Sequence, residues 1–352
     1  MNYISYLLLF FLFFSGKVFS QSDCDKKIIE AENSLASAEY NNCIQILTSA
    51  LSDCNNSKKE KEDIYELLIK AFIETDNVVE QDAYAKKLLE NNPTYELKET
   101  NNTEDYNRLI KKFDVHPLLS IGIRNTAMDP SFETKKIYSV LLDKVDYSAP
   151  YSTSNILLMY YAWAELQFNK NTSLNLELTL LNIQLERNFS KLNWEMTYHE
   201  KMSFIETPIY LKKYIFSTKT VFPFISLGLS YLRLTRSRSD ATINYLTESP
   251  ITGDKSNFYS ATNNMDMLPM RNKNTVSALA GLGIGFKFKN FGIYLDGRYY
   301  RGLNNLTKTQ KRFYNESLIN NYFYIDNAVL LTKFEAGITI AYTLKNSIKK
   351  NR

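Results

Sequence analysis

The chain has 352 residues, with 42 Lys and Arg against 38 Asp and Glu and a formal net charge of +4. So even a balance gives no electrostatic case for a nucleic-acid partner. A mean hydropathy of −0.31, with no long uncharged apolar run after residue 20, argues against helical membrane spans. A membrane β-barrel stays open, because only every second residue of its strands must be apolar. The aromatic content points the same way: 25 Tyr and 21 Phe against only 11 Gly fit a β-rich or membrane-interface protein.

In chain order, MNYISYLLLFFLFFSGKVFSQSDC comes first. Tyr6 to Phe14 is apolar but too short to span a bilayer, and small residues follow. Residues 1–20 read as a secretory signal cut after Ser20, although no Lys or Arg precedes the apolar core. Cys24 raises lipidation as an alternative, against which Asp23 stands just before it. Export implies an oxidising compartment, where disulfides persist.

Residues 24–112 have helical periodicity and predict a periplasmic helical domain over 21–115. CDKKIIEAENSLASAEYNNCIQILTSALSDC holds two amphipathic runs broken near Glu39 to Asn42, with Ile28, Leu35 and Ala38 able to face Ile44, Leu47, Ala50 and Leu51. A second pair follows: Ile64, Leu67, Leu68, Ala71 and Phe72 line one helix, and Ala83, Ala85, Leu88 and Leu89 line the next, which Pro93 closes. Glu60 to Pro93 spans the tetratricopeptide period, and Ala71, Ala85, Leu88 and Asn92-Pro93 resemble that repeat's pattern without its Trp. EDYNRLIKKF, 104–113, reads as a capping helix. A turn near Tyr40 brings Cys24 beside Cys54, which predicts a Cys24–Cys54 disulfide and leaves Cys43 as a small core thiol. With no His here and no CxxC, a metal site is disfavoured.

From His116 the period becomes alternating. Eight strands are predicted: 116–126, 156–169, 173–189, 194–211, 222–237, 274–289, 291–302 and 327–345. The links are unequal. Those at 127–155, 238–273 and 303–326 are long; Lys170–Thr172 and Lys289-Asn290 are tight turns, 212–221 is moderate, and the link after the third strand is an exception in being short. Short turns at one end and long loops at the other are the habit of transmembrane barrels, and an even strand number returns both chain ends to the periplasmic side. The expectation is therefore α+β in separate domains: helical hairpins, then an eight-stranded antiparallel transmembrane β-barrel over 116–346, then a periplasmic tail at 347–352. Sorting faces puts Arg124, Glu165, Glu177, Lys287, Asp296, Arg298 and Glu335 in the lumen as a charge network. A phase slip after Leu180 suggests a β-bulge, and Pro208 an irregular or edge position in the fourth strand.

No catalytic, cofactor or metal constellation emerges. The two histidines, His116 at the domain junction and His199 near the outer rim, have neither a nucleophile elbow nor a ligand cluster beside them.

"FIETPIYLKK", "PFISLGLSYLRL" and the ending "FEAGITIAYTLK" make residues 116–345 resemble the PorT-like outer-membrane β-barrel proteins. "LLENNPTYE", followed by "LIKKFDVHPLLSIGIR", resembles the periplasmic tetratricopeptide-like domain that some of those barrels carry in front. The resemblance implies a link to secretion or surface-protein assembly and brings no catalytic residues. The resulting expectation is a non-enzymatic scaffold or accessory subunit in the outer membrane of a Gram-negative (diderm) cell. Its partners would be outer-membrane lipid and a periplasmic or outer-membrane protein. A small-solute pore or receptor and a surface adhesin are the alternatives.

Overall fold

The computed structural model describes residues 21–97, 102–140, 151–153, 156–191, 194–215, 221–248, 253–288 and 290–350. The expected signal at 1–20 lies outside them, as does Lys289 of the expected turn. The chain divides into two compact units, 1–116 with 346–352 and 117–345.

In the first unit, helices α1 (Gln21–Ala36) and α2 (Tyr40–Asp53) form one hairpin, and α3 (Lys58–Glu74) and α4 (Val78–Asn91) a second; α5 (Glu104–Lys111) follows. The chain turns between α1 and α2 at Ala38, with φ +59°, and between α3 and α4 at Asp76, with φ +52°. Ser57 and Glu60 form a reciprocal capping box at the start of α3, which satisfies two of its orphan N–H groups. The second hairpin is closed at its open end by Asn91, whose side chain donates to the Lys58 carbonyl at 2.7 Å. The first is closed by a Cys24–Cys54 disulfide with a Cα–Cα distance of 6.0 Å, flanked by Lys27–Asp53 at 3.1 Å. Cys43 is a free thiol in the shared core with Leu47, Ile64, Leu68 and Leu88, and burial pushes its pKa up to about 11. Ile348 packs on the same core, and Lys350 pairs with Asp82, so residues 346–350 belong to this unit instead of forming a separate tail.

The second unit is a closed antiparallel barrel. Its strands are β1 (Phe113–Lys136), β2 (Leu157–Asn169), β3 (Thr172–Lys191), β4 (Trp194–Tyr214), β5 (Val221–Glu248), β7 (Asn274–Phe288), β8 (Phe291–Gly302) and β9 (Ala328–Lys350). Strand order runs β4-β3-β2-β1-β9-β8-β7-β5, and a β4–β5 pairing closes the ring. All eight predicted strands are present, several of them longer than expected. The 238–273 link is not a loop throughout: β5 continues to Glu248 and returns as β6 (Lys255–Asp266), paired along β5 where β7 has ended. Turns β2–β3, β4–β5 and β7–β8 share one end of the barrel with the entry of β1 and the exit of β9; the connections β1–β2, β3–β4, β5–β7 and β8–β9 share the other.

The outward face is apolar over the middle of the ring. Leu158, Tyr160, Leu176, Leu178, Leu180, Ile209, Leu227, Leu229, Leu282, Leu295, Phe334 and Ile340 are all exposed, a distribution that suits lipid and not water.

One expectation from the sequence needs correction and a second is met in one of its two forms. There is no bulge after Leu180: β3 and β4 keep one register from Thr172↔Lys213 to Lys191↔Trp194. The apolar face changes sides instead. Leu176, Leu178 and Leu180 point out, whereas Leu181, Ile183 and Leu185 point in, because above Leu180 the strand covers a core capped by Leu318, Tyr322 and Tyr324. Pro208 is at an irregular position, as expected, and not at an edge. It sits in a strand paired on both sides, and the β3–β4 ladder omits the pairs at Glu177 and Leu178, where Pro208 offers no N–H. A bulge is found instead on β5, where Ser203 faces Arg236 but Phe204 faces Leu234, so that Thr235 is extra.

Candidate functional site in the barrel lumen

The lumen is polar because alternation turns every second residue of each strand inward. Room for large side chains comes from β7, where Gly281, Gly283 and Gly285 line up. A Cβ on Gly281 would meet the Arg298 side chain at 2.8 Å, on Gly283 the Phe224 ring at 2.5 Å, and on Gly285 the Phe222 ring at 2.2 Å. These glycines let neighbouring strands fill the barrel.

At the centre Arg124 donates to Glu335 at 2.8 Å and forks onto Asp296 at 3.3 Å through Nε and Nη2. Arg298 donates to Glu177 at 2.9 Å and to the Tyr210 hydroxyl at 2.8 Å, and also binds Asp296. Tyr210 in turn donates to Glu177 at 2.7 Å. Lys333 bridges Glu206 and Glu335, each at 2.6 Å, while Tyr161 donates to Glu335 at 2.7 Å and Tyr300 at 3.2 Å. Ser230 completes Glu206 at 2.5 Å. Every charged member of this layer is buried. Such charges are tolerated because each is paired and hydrogen-bonded; stripping one partner from a buried pair costs about 3–5 kcal/mol.

Toward the turn end, Lys212 sits in an aromatic cage, 4.2 Å from the Tyr294 ring centroid, 4.8 Å from Phe224 and 5.2 Å from Trp163, with Glu165 at 3.7 Å as its counter-ion. Toward the loop end lies an apolar layer containing Met159, Met202, Phe204, Leu232 and Leu234. Above it Arg271, reached from the β6–β7 connection, forks onto Asp326 at 2.8 and 2.9 Å and donates to Glu200 at 2.8 Å. Tyr198 and Tyr324 stack beside it at 4.0 Å. Among the described residues, these buried layers follow one another inside the barrel from the turn end to the loops.

Of the seven residues expected inside, Arg124, Glu165, Glu177, Asp296, Arg298 and Glu335 are buried in this arrangement. Lys287 is not part of it. It has inward parity but lies exposed at the turn-end rim, one step from Phe288, and its charged neighbour is Lys170. The sequence reading missed Glu206, Lys212 and Lys333. Alternation could have found Lys333, two residues before Glu335 on the same face, and Lys212, between Tyr210 and Tyr214. His116 is buried with Asp114 at 3.8 Å, and His199 is half exposed with Glu186 at 3.6 Å. Among the described residues, no group of three or more His, Cys, Asp or Glu could hold a metal.

A closed eight-stranded ring with an apolar exterior and a hydrogen-bonded charged interior defines an outer-membrane type of β-barrel. Residues 145–308 match the family model described as outer membrane protein beta-barrel domain, which supports the outer membrane as its location. Among solved structures, the chain is similar to the attachment invasion locus protein Ail of Yersinia pestis (12% identity, 64% of this chain and 100% of that chain, TM-score 0.26). It is also similar to the N-terminal β-barrel domain of Pseudomonas aeruginosa OprF (9% identity, 66% and 100%, TM-score 0.25). A third likeness is to the outer membrane protease OmpT of Escherichia coli (9% identity, 66% and 98%, TM-score 0.33). No curated protein matches the chain.

Proposed function

We propose that this protein is a non-catalytic outer-membrane scaffold or accessory subunit of an envelope assembly or secretion complex, with the helical unit in the periplasm as its recruiting element. The observation that carries this reading is the filled lumen. A barrel whose centre is occupied by Arg124, Arg298, Tyr161, Tyr210 and Tyr300, each almost fully buried, favours an anchoring role over a solute path. The chain enters β1 and leaves β9 at the turn end, which is the periplasmic end of known barrels. A disulfide-stapled helical unit suits that oxidising space. Its paired helices present an apolar step at the start of α4, where Val78 is 55% and Val79 75% exposed.

The test is co-purification of partners with the solubilised full-length protein and with a version lacking residues 21–112. The same partners recovered from both would remove the helical unit as recruiter. A second reading, surface adhesion, is favoured by the β5–β6 hairpin, which projects past the end of β7 and carries exposed Phe258 and Tyr259. Antibodies to that hairpin that block attachment of cells would support it.

A further inference from the structure

The inversion of the apolar face on β3 fixes where lipid ends on this side of the barrel, and what lies just above that border is cationic. On the outward face, cross-strand rows run through β3, β4 and β5. Leu180 faces Ile205, which faces Arg233; Asn182 faces Ser203, which faces Arg236; Gln184 faces Lys201, which faces Arg238, which in turn faces Asp266 on β6. Residues aligned in this way have Cβ atoms about 5 Å apart, so the side chains of each row act together. Lys201 and Arg236 form no hydrogen bond or ion pair among the described residues, and Arg238 donates only to the Asn264 carbonyl at 3.3 Å. Arg301, an outward arginine on β8, is different: Glu133 binds it at 3.3 Å.

The surface is also hollowed in two adjoining places. A cavity of about 740 Å³ is lined by Asn182, Lys201, Ser203, Arg236 and Arg238, with Asp240, whose carboxylate accepts the Asn264 N–H at 2.7 Å. Below it a cavity of about 790 Å³ is lined by Leu158, Tyr160, Leu178, Leu180 and Ile205. Leu157 and Asn182 border both, so the two hollows are continuous.

We propose that this face of β3–β4–β5 is a binding site for a phosphorylated lipid of the leaflet at the loop end. The acyl chain would lie in the apolar hollow, and the phosphate would face Lys201, Arg236 and Arg238. Arginine and lysine on the headgroup side of an apolar belt bury their stems and present their charges at phosphate depth. Asn182 and Ser203 supply neutral donors for the remaining phosphate oxygens. The apolar hollow commits the site to a lipid over a free anion. The proposal concerns the outside of the barrel and is independent of the helical unit's role.

The test is native mass spectrometry of the full-length protein in neutral detergent, titrated separately with diphosphoryl lipid A, with the same lipid dephosphorylated, and with inorganic phosphate as competitor. Each cation near a charged lipid surface contributes about fivefold in affinity, so Lys201→Gln, Arg236→Gln and Arg238→Gln together should weaken binding of the diphosphorylated lipid about a hundredfold. Each single variant should weaken it about fivefold, and Arg301→Gln should leave it unchanged. Heat-modifiable migration reports that each variant is folded, and the single variants keep the test valid if the triple variant is not. Equal binding of the dephosphorylated lipid, full displacement by inorganic phosphate, or wild-type affinity in the folded variants would each overturn the proposal.

Discussion

Glu335 accepts from four different side chains, and its amide variant measures what the network holds. It accepts from Arg124 at 2.8 Å, Lys333 at 2.6 Å, Tyr161 at 2.7 Å and Tyr300 at 3.2 Å. Glu335→Gln keeps the volume but removes the charge, and its NH2 group then points at donors that need an acceptor. Two charge-assisted bonds weaken, each worth roughly 1.5–3 kcal/mol. Neither cation is stranded, because Arg124 keeps Asp296 at 3.3 Å and Lys333 keeps Glu206 at 2.6 Å. The expected loss is therefore at the lower end of the range for a broken buried pair, about 3 kcal/mol. Urea unfolding of the barrel in lipid vesicles, followed by Trp163 fluorescence, gives the value. Lys333→Met alone and combined with Glu335→Gln completes a cycle whose coupling should lie in the range of about 0.5–3 kcal/mol. A Glu335→Gln loss below about 1 kcal/mol, or a coupling near zero, would refute the view that these charges act as one interlocked unit.

Four further outcomes follow from other parts of the molecule. Planar-bilayer recordings of the purified protein should be silent, and a steady conductance in the wild type would contradict the filled lumen. Cys24→Ser should destabilise the helical unit by about 3 kcal/mol, as expected for opening a loop of 30 residues; limited proteolysis of the full chain with and without reductant reads this as earlier cleavage. Burial raises the Cys43 thiol to about 11, so at pH 8 it stays protonated and should resist alkylation until the unit unfolds. Because the folded state holds that proton more tightly, its share of stability is complete below the unfolded value of 9.0 and is lost as pH rises through about 11, a loss that alkaline unfolding curves of Cys43→Ala should lack. Finally, a Cβ on Gly122 would lie 2.2 Å from the Ile340 carbonyl oxygen across the β1–β9 seam. Gly122→Val should therefore impair barrel closure, seen as loss of the heat-modifiable band, while Gly297→Ala, with nothing nearer than 3.6 Å, should not.

Alternation made the strands and most of the lumen legible. Asp296 and Arg298 flank Gly297 within an otherwise greasy strand, and such a pattern has only one polar face to offer. The helical hairpin was legible for a similar reason: a turn near Tyr40 leaves Cys24 and Cys54 at matching ends. What sequence could not convey was the change of solvent along a strand. Leu178 and Leu180 followed by Leu181, Ile183 and Leu185 look like a register slip when a single exterior is assumed. They are continuous once the outside changes from lipid to water and the inside from ions to a capped apolar core. The same assumption hid Glu200 and Arg271. Their pairing depends on the link between β6 and β7 and on Asp326, which precedes the last strand, and neither position has strand alternation to mark it.

That change of solvent means β3 and β4 are each amphipathic twice, with opposite sense. The lower half requires a hydrocarbon bath and would aggregate in water through Leu176, Leu178 and Leu180. The upper half requires water and would be turned inside out by hydrocarbon, which would draw Leu181, Ile183 and Leu185 outward. Neither a uniform detergent phase nor a uniform aqueous one satisfies the whole strand. The whole strand is satisfied where the two media meet, with Leu180 at the border.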